Sequence, residues 1–189
     1  MISVGIVLKL LEKVAELLKQ RAQQRGDFFR NFVEPVWKDF EAVHADYLAS
    51  FRKYAEMVSD MSISFDHEHP VFNAIETDSI LSDAMRNKLG NAERLAESDA
   101  QVAALASAIS RYLHATPGEA LNKGFKRANA PRMDVKAELR ALAGRNSDDA
   151  EKRKRAAWLV MSAAENLQRR YRDVSDAYEQ LKTTLLAPR

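Results

Sequence analysis

The chain has 189 residues, 46% of them hydrophobic and 30% charged, and a formal net charge of +2. That length can enclose a real core without disulfides or structural metal, and the balance of apolar and charged residues excludes wholesale disorder. There is no cysteine, which rules out disulfides, thiolate zinc sites and cysteine nucleophiles and fits a reducing compartment.

The first predicted element is a helix over 2–25. Val7, Leu10, Val14 and Leu17 alternate spacings of three and four, and Val4, Leu8, Leu11 and Leu18 form a parallel row. Together they make a wide apolar face suited to more than one neighbour. Lys9, Glu12 and Lys13 interrupt the apolar run, so it is neither a signal segment nor the ~18–20 residues of a membrane span. A cytoplasmic protein with no membrane span is expected. Gly26 is placed after this helix as a left-handed cap and Asp27 as the start of the next.

The second helix is predicted to run to about residue 60. Phe29, Val33, Val36, Phe40, Val43, Tyr47, Tyr54 and Val58 keep one stripe, with Phe51 beside it. Pro35 is costly inside a helix and cheap in a first turn. Asn31 and Glu34 have capping-box spacing, so the chain either starts its helix there or bends, and a bend within one long helix is the expectation.

"FDHEHP", residues 65–70, then gathers Asp66, His67, Glu68 and His69. These are plausible ligand types for zinc, iron or manganese, but four consecutive residues cannot all face one ion. The segment sits between helical patterns and ends in His-Pro, which favours a turn followed by a helix start. A polar loop without metal is the reading. Glu41-x-x-His44 resembles one half of a di-iron bundle motif, yet no second Glu-x-x-His follows.

A helical region is expected over 71–115, interrupted at Leu89-Gly90-Asn91, with a capping box at Ser98 and Gln101. Thr116-Pro117-Gly118-Glu119 is a stronger start signal. One or two short helices should follow before Ala143, separated near Pro131. Ser147-Asp148-Asp149 opens the last helix, with acids where the helix dipole favours them. Its stripe is regular: Ala157, Val160, Ala164, Leu167, Tyr171, Val174, Tyr178, Leu181 and Leu185. Such a heptad pattern suits coiled-coil-like packing.

Charge is uneven along the chain. Residues 39–117 carry 6 basic and 13 acidic side chains, and residues 118–189 carry 16 basic and 10 acidic. The basic clusters "NKGFKRANAPR", "EKRKR" and "RRYR" could meet phosphates. However, four consecutive basic residues spread around a helix, and acids stand among them. No phosphate-binding loop, dinucleotide fingerprint, Gly-x-Ser-x-Gly elbow or His-Glu-x-x-His occurs.

The expected architecture is therefore all-α: a single helical-bundle domain over 1–189, elongated, with four to six helices. Two long ones should pair antiparallel in coiled-coil fashion, and residues 1–25 could serve as a separate docking or dimerisation element. The expected role is a non-catalytic helical scaffold or protein–protein interaction module that self-associates, as a dimer, and needs no cofactor. The alternative is nucleic-acid binding through the basic 122–172 region, with Lys123, Lys126, Arg127, Arg153 and Arg155 as contacts. A metal-dependent helical enzyme is the second alternative. No catalytic residue and no metal ligand is assigned.

Overall fold

A computed structural model describes residues 4–20, 24–77, 100–126, 132–144 and 149–186. The protein is an all-α bundle. In chain order its elements are α1 (Val4–Lys19), α2 (Arg25–Phe28), a π-helical turn (Phe29–Val33), α3 (Glu34–Ser59) and α4 (Pro70–Thr77). They are followed by α5 (Ala100–Leu113), α6 (Pro117–Lys123), α7 (Val135–Ala143) and α8 (Asp149–Leu186). Two-residue strands, β1 (Phe125–Lys126) and β2 (Arg132–Met133), pair antiparallel between α6 and α7. No described helix is long and apolar enough to cross a membrane.

The backbone folds into two compact units: Met1–Asp46 with Leu81–Leu113 and Arg170–Arg189, and Tyr47–Ile80 with His114–Arg169. In the first unit α1 packs on the π turn and on α5. Val7, Leu8, Leu10, Val14 and Leu17 of α1 are all buried, so one apolar row and part of the other are spent within the chain. The Leu11 and Leu18 side chains lie outside the described set.

Gly26 does not end a helix. It lies within α2, and among the described glycines only Gly124 has a positive φ. Helical backbone then continues from Arg25 to Ser59 without a break. Proline has no N–H to give the carbonyl four residues back and its ring crowds that carbonyl. The chain accommodates Pro35 by widening the preceding turn, where the Glu34 N–H reaches the Phe29 carbonyl. Asn31 sits within that turn and does not begin a helix.

Across the π turn and α3, every residue of the expected stripe is buried, from Phe29 to Val58. In the first unit Phe29 meets Tyr178 at 5.8 Å between ring centroids, and Trp37 stacks on Tyr178 at 3.9 Å. Further along, Phe40 lies 5.8 Å from Tyr171 and His44 stacks on Tyr171 at 4.0 Å. As α3 advances α8 runs backward, so the two long helices pair antiparallel here. Tyr171 itself is half-buried, whereas Leu167, Val174, Tyr178 and Leu181 are fully enclosed.

In the second unit α6 packs against both α4 and α7. Thr116 has the extended backbone of an N-cap and Pro117 follows it, but its hydroxyl makes no capping hydrogen bond. Asn122 Nδ2 donates to the Ile75 carbonyl at 3.1 Å, giving the end of α4 a partner it lacks within its own helix. Lys136 completes the junction, 2.7 Å from Glu76 and 3.2 Å from Asn122 Oδ1. Gly124 ends α6 at φ 71°, and a β-carbon there would collide with the Met133 carbonyl oxygen. Asp134 caps α7 by accepting the Ala137 N–H at 3.0 Å. The interruption expected at Leu89-Gly90-Asn91, the Ser98 cap, the break near Pro131 and the Ser147 cap lie outside the described residues.

Candidate interaction surface

The basic run "EKRKR" divides by helical position. Arg153 is turned inward and only 4% exposed. Asp149, one turn earlier, holds its Nε at 2.6 Å. Its two terminal nitrogens donate to three backbone carbonyls at the end of α3 and in the connection after it: Val58 at 3.3 Å, Asp60 at 2.6 Å and Ile63 at 2.6 Å. A planar fork of donors suits this task in a way an ammonium does not. The guanidinium also lies 5.8 Å over the Phe65 ring. Arg153 is thus a clamp on a loop, and its position withdraws it from the set of five proposed nucleic-acid contacts.

The loop it clamps leads into "FDHEHP". Phe65 and His69 are buried, while Asp66, His67 and Glu68 face outward. Asp66 Oδ1 accepts the Glu68 N–H at 2.9 Å, forming a tight turn. His69 precedes Pro70 at the start of α4, and its Nδ1 accepts the Val71 N–H at 3.3 Å. It serves as a histidine N-cap, satisfying a donor that the helix cannot. His67 packs beside Gly144. Among the described residues no cluster of three or more histidine, aspartate or glutamate side chains could hold a metal.

Burial pushes the His69 imidazole below its usual range, and the Arg153 guanidinium adds to this, while Asp66 and Asp60 pull the other way. Its Nε2 is buried near the Met57 carbonyl without completing a well-formed hydrogen bond. A histidine whose folded pKa is depressed contributes stability that is present above its unfolded value, about 6.5. That contribution is lost as pH falls through the lower folded value, because the unfolded chain takes up the proton first. His69→Asn should keep the cap and remove this titration. Urea unfolding between about pH 7 and pH 5 should show a smaller loss of stability in the variant than in the wild type. Superimposable pH profiles would show that His69 does not titrate as its surroundings imply.

Glu41 and His44 both serve the aromatic core of the first unit. His44 is buried, its Nδ1 is 3.2 Å from the Tyr112 hydroxyl, and its ring lies flat on Tyr171. The Tyr171 hydroxyl reaches Glu41 at 3.4 Å. Burial, then the Glu41 carboxylate, raises the Tyr171 pKa. A shallow groove of about 430 Å³ in the same unit is lined by Ala104, Ala108, Arg111, Arg170 and Asp173 among others. Within it Arg170 is engaged with Asp173 at 3.2 Å and Arg111 with Ser107 at 3.1 Å.

The surface feature of the second unit is the outer face of α8. Glu151, Lys154, Arg155, Trp158, Met161, Glu165 and Arg169 are exposed along it, whereas Ala156, Leu159, Val160, Ala163 and Leu167 are buried. Trp158 is 42% and Met161 38% exposed. The Arg155 guanidinium stands 4.1 Å over the Trp158 ring, a cation–π contact that fixes both side chains. Lys123 is exposed and paired with the buried Glu119 at 2.8 Å. Lys126 lies in β1; its side chain, and Arg127 altogether, are outside the described set. Of the expected contacts, the structure therefore shows Arg155 on this strip and Arg153 inside.

Comparison with protein-family models, with curated proteins and with solved structures finds no match for this chain. The class that the fold defines is a helical bundle with an aromatic, charge-flanked strip on the longest described helix.

Proposed function

We propose that this chain is a non-catalytic helical scaffold or protein–protein interaction module that self-associates. One observation supports this most directly. Trp158 and Met161, large apolar side chains, face solvent on the longest helix, with Arg155 ordered against the indole. Tryptophan, methionine and arginine are enriched where proteins meet, and a rigid aromatic with charged neighbours is the usual anchor of such contacts. Nucleic-acid binding stands second, because Arg153 is committed to the interior and Glu151 and Glu165 dilute the positive field around Arg155. A cytoplasmic location belongs to the same reading, supported by the absence of cysteine from the sequence.

The test is the mass of the full chain in solution against concentration. A dimer forming in the micromolar range is expected, and a monomer at every concentration up to about 100 µM would remove self-association from the proposal.

A further inference from the structure

Resting on that self-association, we infer that two copies of this chain pair antiparallel through the outer face of α8, about a twofold axis beside Val160. The exposed charges carry the inference. Glu151 and Arg169 are each nine residues from Val160 in opposite directions, and Arg155 and Glu165 are each five. Reversing one copy against the other sets Glu151 opposite the second copy's Arg169, and Arg155 opposite its Glu165. Every such pair is of unlike sign, and the symmetry supplies each twice.

A parallel pairing in register would set each residue against its own twin, Glu151 on Glu151 and Arg155 on Arg155. Like charges facing each other are unfavourable, so the same pattern that supports the antiparallel arrangement opposes the parallel one. Lys154, the other exposed charge between Glu151 and Arg169, falls level with Asn166, which is uncharged and buried in its own chain, so it meets no like charge there. At the centre, Trp158 and Met161 of each copy lie within two residues of the axis. They would bury their exposed surface against one another. A closed twofold contact of this kind is self-complementary and stops at two copies. An unrelated partner has no reason to require a strip that is complementary to its own reverse.

The experiment measures dimer dissociation for the full chain, for Arg155→Glu, for Glu165→Arg and for both changes together. Each single reversal should weaken dimerisation by about tenfold or more, since it puts like charges across the contact twice. The double variant should return close to the wild type. Circular dichroism checks that each stays folded, as exposed positions allow. A second measurement fixes direction, because the sequence has no cysteine of its own. A mixture of Glu151→Cys and Arg169→Cys chains should give a mixed disulfide dimer under mild oxidation, and neither variant alone should crosslink. Efficient crosslinking of either variant alone would overturn the antiparallel pairing. A wild-type dimer whose dissociation is unmoved by the single reversals would overturn this interface while leaving self-association standing. A wild type that never dimerises would overturn both.

Discussion

Arg153→Met should cost about 1.5–3 kcal/mol of folding stability, the range for losing hydrogen bonds made by a charged group. The substitution leaves the Val58, Asp60 and Ile63 carbonyls without the donors that now reach them, and at Val58, where the bond is buried, an orphaned acceptor is costly in itself. Arg153→Lys should recover only part of the loss, because one ammonium cannot span three carbonyls with a fixed fork. The neighbouring control is Arg155→Met. Arg155 is exposed and lies over the Trp158 ring at the surface, so its loss should move stability by no more than about half a kcal/mol. Urea unfolding of the three variants decides the matter. Equal, small effects at 153 and 155 would mean that the run is a solvated face and the clamp contributes nothing.

Leu167→Ala is the second large effect, at about 2–5 kcal/mol from lost transfer energy and an unfilled cavity. Leu167 is wholly buried, at 0% exposure, in the middle of the α8 stripe. Because that burial exists within one chain, the loss should be the same at low and high protein concentration. A loss that shrinks at high concentration would mean that a second molecule completes the core. Trp158→Ala makes the opposite case. It should leave the unfolding free energy of the monomer nearly unchanged.

Much of the fold is legible from local spacing. The stripe from Phe29 to Val58 and that from Val160 to Leu181 follow from apolar residues three and four apart, which must share a helix face whatever surrounds them. Pro35 was a legible disturbance, but its resolution as a widened turn was not, since a bend and a π turn both relieve the same clash. Gly26 misleads for a related reason: glycine permits a left-handed cap without requiring one. The expected Thr116 cap likewise has the right backbone and Pro117 but no side-chain capping bond.

The site residues show the division most sharply. Arg153 lies four residues before Ala157 and seven before Val160, so extending the α8 stripe by one turn would have marked it as inward-facing. Its charge hid that signal, because an arginine is ordinarily placed in water. Helix periodicity alone determines which side chains share a face, through contacts three and four residues apart. Which basic residue can be buried is decided by acceptors brought from far along the chain, here carbonyls more than 85 residues away. His69 shares in the same long-range event, since burial depresses its pKa first and the cation that adds to this comes from α8. Local pattern sets the helices, and only tertiary structure supplies the partners that make a buried charge or a neutral histidine affordable.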